Sequence, residues 1–448
     1  MIVQVAIDLP NIETLDYFYT PPDTNNFKKT EVIGHWVIVE VKNTKKIGLV
    51  MAVKKTSRAK QIKPIEFVID ALPPVGENYL AFISFAAKYY HRPLGKVVFN
   101  SFPKLLKSVK NIESNYIKKK KNYFLKPNKL SSEENKTKFQ TKVEWDLNEE
   151  QSTCYKSIAS STKPILLHGV TGSGKTRLYF SAIKKILTGS ATSQVLYLVP
   201  EIALTSNLQI LMENYFPSYE IGIYNSTQTP LSRAKTWLNV STGKTKIILG
   251  TRMAIFLPLS DLQLIIVDEE HDTSFKQSEG FRYSARDLAV YRANNLKIKI
   301  ILGTATPSLE SWVQTRRNKY KYLNLKNRAS GQLLPKLIIC QKSPHSYENG
   351  ISEDTLKILN QHINAGQQAL LYLNKKGWAP VLSCLECNWS AKCKNCSVNL
   401  VLHKNKDDFL LCHFCGYKEL PAQFCKFCGS NRLRLLGIGT EQLEHKIS

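Results

Sequence analysis

The chain has 448 residues, with 62 Lys and Arg against 36 Asp and Glu, and a formal net charge of +26. This length predicts two to four domains, and a hydrophobic fraction of 43% predicts buried cores. The basic excess favours nucleic-acid binding, because phosphate neutralisation releases counterions; the alternative is a set of solvated lysines encoded by a biased base composition. No apolar stretch is long enough to cross a membrane and no signal peptide is evident, so a cytoplasmic protein is expected.

Residues 1–103 are predicted to form a small β-rich α+β domain. β-branched residues alternate or run together in residues 3–7, 36–41 and 47–53, as they do in strands. A helical pattern follows from Tyr79 to Tyr89.

Residues 104–145 change in composition to Lys, Ser, Glu and Asn without apolar periodicity. This composition predicts a flexible basic linker, with one short helix as an option. A solvated, inert linker is the simpler interpretation of the lysine run 118–121, and DNA contact is the alternative.

From residue 146 the sequence predicts an α/β lobe that extends to residue 330. Near-continuous apolar strands, which a parallel sheet covered on both faces requires, alternate here with helices. The predicted strands begin at Ile165, Val195, Ile247, Leu264 and Ile300. A second start at residues 368–373 predicts the beginning of another lobe, residues 331–448, which a cysteine-rich module at 384–428 interrupts.

A phosphate-binding loop follows the first of these strands, with the spacing Gly169-x-x-x-x-Gly174-Lys175-Thr176. Its glycines let backbone N–H groups surround a phosphate at a helix N-terminus. Lys175 is predicted to contact the β- and γ-phosphates of ATP, and Thr176 to bind Mg²⁺. Gln151 is predicted either to contact the adenine edge or to be a plain surface residue. The full predicted ATP site is Gln151, Gly169, Gly172, Ser173, Gly174, Lys175 and Thr176.

Asp268 ends an apolar strand, so its carboxylate is expected beside the phosphate loop at the carboxyl edge of the sheet. Asp268 is predicted to hold Mg²⁺, and Glu269 to orient or deprotonate the attacking water. Glu270 and His271 either cap the next turn at the surface or, as we prefer, couple the nucleotide to residues 304–306.

Eight of the ten cysteines form four Cys-x-x-Cys pairs, which favour metal over disulfides in a reducing compartment. Four pairs make two closed Cys₄ zinc sites, with an iron–sulfur cluster as the alternative. The preferred pairing is nested around a hairpin-like segment. It assigns Cys384, Cys387, Cys425 and Cys428 to one zinc, and Cys393, Cys396, Cys412 and Cys415 to the other. Cys154 and Cys340 are expected to be buried apolar residues, and His403 and His413 to be structural or DNA-facing.

The segment 275–287 mixes aromatic and basic residues, a composition that suits stacking on single-stranded DNA. The alternative is a loop that packs in the core. Its position after Asp268 favours DNA sensing that is coupled to ATP. The predicted DNA contacts here are Phe275, Lys276, Arg282, Tyr283 and Arg286.

These motifs resemble the PriA family of bacterial replication-restart helicases over nearly the whole chain. The resemblance rests on residues 198–205, 250–256, 268–271, 303–308, 373–377 and 437–441, together with the eight cysteines. It implies RecA-like superfamily 2 motor lobes with a zinc-binding insertion in the second lobe, and 3′→5′ movement on DNA. It also implies an N-terminal domain that binds a nascent 3′ end, with Asp16, Tyr17, Gly34 and Lys63 at the positions of its pocket.

The family resemblance implies recognition of stalled or abandoned forks and initiation of primosome assembly. The implied partners are forked and single-stranded DNA, single-strand-binding protein, primosome components and the replicative helicase loader. The implied cofactors are ATP, Mg²⁺ and two Zn²⁺ ions.

Three departures from the family pattern are expected to matter. The basic segment 104–145 stands where the family has a winged-helix domain, and Lys375-Lys376 replaces a pair of arginines. The sequence given stops soon after residue 441, before the motif with the family's arginine finger, so we expect a chain truncated within the second lobe. Two alternatives therefore stay open: a non-catalytic platform that binds forks and loads the primosome, or another zinc-containing superfamily 2 translocase.

Overall fold

The computed structural model describes most of the chain and divides it into two compact units, Met1–Leu334 and Pro335–Ser448. The described residues are 1–20, 32–59, 61–113, 146–200, 206–332, 335–339, 351, 353–373, 381–396, 398–403, 408–436 and 443–444. Of the sequence motifs, residues 201–205, 340, 374–377 and 437–441 lie outside this set.

The first unit begins with a five-stranded antiparallel sheet in the order β2-β1-β4-β3-β5. Its strands are β1 (Ile2–Ile7), β2 (Leu15–Phe18), β3 (Trp36–Val41), β4 (Thr44–Lys54) and β5 (Ile65–Val68). A two-residue turn joins β3 to β4, and Lys42 and Asn43 have φ angles of 45° and 61° there, as tight hairpins require. The strands predicted from alternation are thus confirmed.

Helices cover one face of this sheet. They are α1 (Glu77–Tyr89), α2 (Leu94–Val98), α3 (Lys104–Lys107) and α4 (Val109–Ile112). The helix predicted from Tyr79 to Tyr89 is confirmed. The start of the predicted flexible linker is wrong in part, because α3 and α4 bury Leu106 and Ile112 in the core. Residues 114–145 lie outside the described set, and the boundaries of the predicted domains stay predictions.

The second part of this unit is a parallel seven-stranded sheet in the order β12-β6-β11-β10-β7-β9-β8. Helices lie between its strands, and two apolar clusters cover its two faces, which confirms the predicted α/β lobe. The strands are β6 (Ile165–Gly169), β7 (Gln194–Leu198), β8 (Ile221–Tyr224), β9 (Ile247–Gly250), β10 (Leu262–Asp268), β11 (Lys299–Thr304) and β12 (Lys321–Leu325). The helices are α5 (Glu149–Ser160), α6 (Lys175–Gly189), α7 (Ser206–Tyr215), α8 (Pro230–Ser241), α9 (Ala285–Leu296) and α10 (Leu309–Arg316).

The two sheets of the first unit share one continuous apolar core. The hydroxyls of Tyr79 and Ser101 both donate to the carbonyl oxygen of Phe256, at 2.8 and 2.9 Å. The ring of Trp36 packs edge-on against Trp237 with ring centroids 5.7 Å apart. The β-rich domain is therefore fixed on the lobe by buried contacts.

The second unit contains α11 (Glu353–Asn364) and two small antiparallel sheets. One sheet pairs β13 (Val381–Cys384) with β17 (Leu433–Leu436), and the other joins β14 (Val401–His403), β15 (Phe409–Leu411) and β16 (Lys418–Glu419). The strand predicted at 368–373 is wrong: these residues have no regular structure, and Leu370 is 94% exposed. A strand needs a neighbour to pair with, and no described strand pairs with this segment.

None of the helices within the described residues is long and apolar enough to span a bilayer.

Candidate functional site

The phosphate loop connects β6 to α6 in the predicted strand–loop–helix arrangement. Gly172 and Gly174 have φ angles of 80° and 84°, in the left-handed region that glycine adopts without strain. A Cβ atom on Gly169 would lie 2.6 Å from the hydroxyl oxygen of Ser173, so this position is also closed to a side chain. The loop therefore has the backbone of a phosphate cradle at the N-terminus of α6.

Lys175 is the first residue of α6, and its side chain lies back across the loop. Its ammonium group donates to the carbonyl oxygen of Gly169 at 2.8 Å. The adjacent Thr176 is half-buried. Burial raises the pKa of the Asp268 carboxyl, and the charge of Lys175 opposes a part of this rise. The structure thus brings the predicted phosphate ligand and the predicted metal ligand close together.

Gln151 supports the loop from behind instead of presenting an edge to adenine. Its side chain is fully buried, and its amide donates to the carbonyl oxygen of Ser173 at 2.9 Å. Its amide oxygen accepts from the backbone N–H of Asn148, which completes a capping box at the start of α5. This geometry does not support the predicted adenine contact, because the amide oxygen and the amide nitrogen of Gln151 both already have hydrogen-bond partners in the protein.

Asp268 stands at the carboxyl end of β10, and two buried tyrosines hold its carboxylate. Tyr179 on α6 donates to Oδ1 and Tyr197 on β7 donates to Oδ2, each at 3.0 Å. Burial raises the pKa of the Asp268 carboxyl and the charge of Glu269 adds to the rise, whereas the two tyrosine hydrogen bonds oppose it. Sequence reasoning missed both tyrosines, because no spacing links them to Asp268.

Glu269 lies at the turn that follows β10, with a φ angle of 48°. This conformation is uncommon for a residue with a side chain, and such residues concentrate at functional sites. The Glu269 side chain is 40% exposed, so its carboxylate is open to solvent water. The structure places it next to Asp268 as predicted, and its role with water stays a prediction.

Glu270 is buried, contrary to the alternative of a surface cap. Its carboxylate accepts from the backbone N–H of Ser308 at 2.7 Å and from the hydroxyls of Ser308 and Ser311 at 2.8 and 2.7 Å. Arg286 completes the group with an ion pair of 3.2 Å to the same carboxylate. Glu270 therefore joins the end of β10 to the N-terminus of α10 and to the start of α9.

His271 makes the contact with residues 304–306 that the preferred hypothesis required. Its Nδ1 atom lies 2.8 Å from the hydroxyl oxygen of Thr304, which in turn accepts from the backbone N–H of Thr306 at 3.0 Å. The contact provides a physical connection from the end of β10 to the end of β11. Its effect on nucleotide turnover stays a prediction.

The aromatic and basic segment 275–287 divides into buried rings and exposed cations. Phe275 and Tyr283 are only 2% and 3% exposed, so the prediction that they stack on DNA is wrong for this structure: both rings lie in the core of the lobe. Lys276 and Arg282 are exposed and available to phosphates. Arg286 is instead held by Glu270, Asp287 and Ser308.

The residues that directly follow helix α1 in the β-rich domain contact this segment. Arg92 donates to the carbonyl oxygen of Gly280 at 3.1 Å, and the hydroxyl of Tyr90 accepts from the backbone N–H of Ser284 at 3.1 Å. The ring of Tyr90 also lies edge-on to Phe281, with centroids 5.9 Å apart. Ser284 caps α9, the helix that carries Arg286. The N-terminal domain therefore contacts the same segment whose Arg286 pairs with Glu270.

Asp16, a member of the predicted 3′-end pocket, lines a cleft. A cavity of about 530 Å³ lies between Asp16 and residues 54–59, which comprise the end of β4 and the turn after it. The cations Lys54, Lys55 and Arg58 line this cavity. Asp16 accepts from Ser57 at 2.5 Å and pairs with Lys54 at 3.3 Å. Sequence reasoning missed these cations, although the run of basic residues after β4 was a signal.

The other three pocket candidates have contacts of their own. Tyr17 is buried, and its hydroxyl donates to the backbone oxygen of Glu40. Lys63 pairs with the side chain of Glu40 at 2.7 Å. Gly34 has a φ angle of 83°, and a Cβ atom there would lie 2.1 Å from the carbonyl oxygen of Val75. Tyr17 and Gly34 thus have positions that packing alone explains.

In the second unit, the structure gathers the eight predicted cysteines into two groups. The outer cluster is Cys384, Cys387, Cys425 and Cys428, and the inner cluster is Cys393, Cys396, Cys412 and Cys415. Within each cluster all four sulfur atoms lie within 4.8 Å of one another. These are the two groups of the nested pairing, and the inner one is joined by the hairpin of β14 and β15.

The cluster geometry suits zinc. Tetrahedral sites with zinc–sulfur bonds of about 2.3 Å have sulfur–sulfur separations of roughly 3.8 Å. The Cys384–Cys428, Cys387–Cys425 and Cys393–Cys415 separations are 3.6, 3.5 and 3.5 Å.

Backbone N–H groups prepare one thiol in each cluster for metal. The backbone N–H of Tyr417 lowers the pKa of Cys415 to about 7. Burial raises the pKa of Cys425, but the N–H groups of Cys428 and Phe427 outweigh it and bring the value to about 6. Thiolates are the metal-binding form of cysteine, so each cluster offers an anionic ligand near neutral pH.

Three known families match this sequence. Residues 148–314 match the DEAD/DEAH box helicase family, residues 4–103 match the 3′DNA-binding domain (3′BD), and residues 393–419 match the PriA DNA helicase Cys-rich region (CRR) domain. The matches cover both parts of the first unit and the inner cysteine cluster.

Similar proteins include the replication restart protein PriA of Haemophilus influenzae, 32% identical over 507 residues that cover 100% of this chain and 68% of that protein. The replication restart protein PriA of Rickettsia prowazekii is 34% identical over 452 residues, covering 99% of this chain and 64% of that protein. The Bacillus subtilis protein of the same name is 32% identical over 311 residues, which cover 67% of this chain and 38% of that protein. The chain thus spans about two thirds of the length of the first two relatives.

Proposed function

The chain belongs to the PriA family of replication restart proteins, and we propose that it is an ATP-dependent DNA helicase moving 3′→5′. One observation carries the proposal: the phosphate loop and Asp268 stand together at the carboxyl edge of one parallel sheet. That edge is where open α/β sheets bind ligands. The order β6-β11-β10 separates the two motifs by a single strand.

In this proposal Lys175 contacts the β- and γ-phosphates of ATP, Thr176 and Asp268 hold Mg²⁺, and Glu269 orients the attacking water. Bound Mg²⁺ would neutralise charge on the phosphates. The buried Glu270 and Arg286 transmit changes at this edge to α9, α10 and the segment 275–287, which carries the exposed Lys276 and Arg282. ATP turnover and DNA contact are coupled through this group.

The substrate in this proposal is DNA with a free 3′ end at a stalled or abandoned fork. The cleft beside Asp16, with its cations Lys54, Lys55 and Arg58, suits a DNA terminus, because the cations attract phosphate and the carboxylate accepts from a hydroxyl. The net charge of +26 favours the same class of partner.

The two cysteine clusters hold one structural zinc ion each in this proposal. Four thiolates fill a tetrahedral site and leave no open position for catalysis. The proposal also includes further partners, which are single-strand-binding protein, primosome components and the replicative helicase loader, and it places the protein in the bacterial cytoplasm.

The first test is ATP hydrolysis and strand separation by the 448-residue chain, with forked DNA carrying a 3′ or a 5′ single-stranded tail. We expect DNA to stimulate hydrolysis and the tail that permits 3′→5′ movement to be unwound. Lys175→Ala should abolish both activities, while Lys185→Ala, an exposed lysine on the same helix, should preserve them.

Two results would contradict the proposal. Fork binding without hydrolysis would identify a non-catalytic platform instead. Hydrolysis stimulated equally by RNA and by DNA without a 3′ end would identify a translocase of a different substrate class.

A further inference from the structure

The two carboxylate oxygens of Asp268 accept different numbers of hydrogen bonds. Oδ1 accepts from the hydroxyl of Tyr179 at 3.0 Å and from the backbone N–H of Glu269 at 3.1 Å. Oδ2 accepts from the hydroxyl of Tyr197 at 3.0 Å, and it has no second donor in the described part of the chain. A carboxylate oxygen has about two acceptor positions, so Oδ2 retains an unused one.

Both tyrosines are fixed by their surroundings. Tyr179 and Tyr197 are fully buried, and their rings meet edge-on with centroids 5.7 Å apart. Both hydroxyls donate to the carboxylate of Asp268, which acts only as an acceptor when it is ionised. They approach Asp268 from two elements, α6 and β7, which prevents the carboxylate from rotating.

Gly303 leaves room for one of these hydroxyls. It pairs with Asp268 across β10 and β11, and a Cβ atom on it would lie 1.6 Å from the hydroxyl oxygen of Tyr179. The hydroxyl of Tyr179 therefore occupies the space of a missing side chain. The absence of a side chain at Gly303 thus allows the hydroxyl of Tyr179 to reach the carboxylate of Asp268.

We propose that Tyr179 and Tyr197 are positioning residues, which orient Asp268 and present Oδ2 to the Mg²⁺ that accompanies ATP. The inference rests on the proposed function, because it assigns Asp268 to Mg²⁺. It adds two residues, from the helix after the phosphate loop and from a neighbouring strand, that never touch the nucleotide themselves. Their contribution lies in holding one carboxylate in one orientation.

The test measures binding and not turnover. A fluorescent, non-hydrolysable ATP analogue is titrated onto the chain at increasing Mg²⁺ concentrations, and the Mg²⁺ concentration for half-maximal binding is recorded. Tyr179→Phe and Tyr197→Phe should each raise it roughly tenfold, the lower end of what a hydrogen bond to a charged group contributes. The double variant should raise it further.

Tyr79→Phe is the matched control, since Tyr79 is a buried tyrosine of the same unit whose hydroxyl donates to the backbone oxygen of Phe256. It should leave the Mg²⁺ requirement within about twofold, as loss of a neutral bond elsewhere does not act on Asp268. Binding of the analogue in EDTA reports whether the phosphate loop is folded, and it should be equal in all variants.

Two outcomes overturn the inference. One is an unchanged Mg²⁺ requirement in the double variant. The other is a loss of binding in EDTA that accounts for the whole shift, which would make the tyrosines general supports of the lobe. Failure of the proposed function is a separate result: the unsubstituted chain itself would then show no Mg²⁺-dependent binding.

Discussion

The two candidate ligand sites of this chain are held in opposite ways. At the nucleotide edge, formed by the carboxyl ends of β6, β10 and β11, hydrogen-bond donors of the protein hold the acidic side chains in place without a bound nucleotide. Asp268 is held by two tyrosines and Glu270 by four donors, all inside a lobe with a large core. The inner cysteine cluster instead belongs to a small apolar cluster, which includes its own Cys393 and Cys412.

The comparison indicates that the folding free energy of the two regions has different sources. The lobe buries two faces of a seven-stranded sheet, so its site follows from packing. In the second unit, strands of two to four residues surround the thiols, and sheets this small are marginal alone. Metal is therefore expected to be a cofactor of the first site and a structural element of the second.

Removing zinc should produce the largest effect and should separate the two regions. Structural zinc sites contribute about 10–16 kcal/mol in small domains, so chelation should unfold residues 381–436. Amide hydrogen exchange should rise throughout that segment, while residues 149–325 keep their protection. Retained protection in the chelated cluster region would mean that its packing alone suffices.

A matched pair of cysteine variants sharpens the zinc result. Cys425→Ser removes a ligand of the outer cluster, whereas Cys154→Ser changes a buried cysteine that belongs to neither cluster. We expect the zinc content per chain to fall by one ion in the first variant and to stay unchanged in the second.

Breaking the Glu270 group should give the next largest effect. Glu270→Gln removes one charged partner of the mostly buried Arg286, which keeps Asp287. The loss should therefore be about 3 kcal/mol, the lower end of the cost of breaking a buried pair. Urea unfolding of the first unit should show this loss. Glu310→Gln is the control, because that carboxylate is 74% exposed, lies 3.9 Å from the same arginine and should contribute less than about 1 kcal/mol.

Gly303→Ala should have a smaller effect on stability, since overpacking in a core typically costs about 1–3 kcal/mol. Gly189→Ala provides the control, because nothing lies within 4 Å of a Cβ atom there. Thermal unfolding should show a lower midpoint for the first variant only. Equal midpoints would mean that Tyr179 can move aside at no cost.

The smallest expected effect concerns the contact between the residues after α1 and the segment 275–287. Arg92→Ala removes an exposed hydrogen bond to Gly280, so stability should change by less than about 1 kcal/mol. We expect DNA stimulation of ATP hydrolysis to fall severalfold, while hydrolysis without DNA is unchanged. Lys88→Ala, an exposed cation in the last turn of α1, is the control. Undiminished stimulation would show that the domain does not act through this contact.

The sequence predicted those parts of the molecule that depend on neighbours along the chain. The phosphate loop, the strand before Asp268 and the four Cys-x-x-Cys pairs are local patterns, and each lies in the expected element. The inferred N-terminal strands and first helix also depend on local periodicity, and they formed as predicted.

Distant contacts account for the predictions that the structure contradicts or does not support. Phe275 and Tyr283 have the composition of DNA-stacking residues, but packing from other strands and helices buries them. Gln151 faces the back of the loop because α5 is docked there. Residues 368–373 are as apolar as a strand, yet pairing depends on a partner that periodicity cannot identify.

The close approach of Tyr179 to Gly303 carries an evolutionary consequence. A hydroxyl and a side chain cannot occupy the same space, so positions 179 and 303 are not free to vary independently. Relatives that keep a tyrosine at the first position should keep glycine at the second. In relatives with a larger residue at position 303, we expect a residue at position 179 that lacks the hydroxyl or is shorter. A different donor should then hydrogen-bond to the aspartate at position 268.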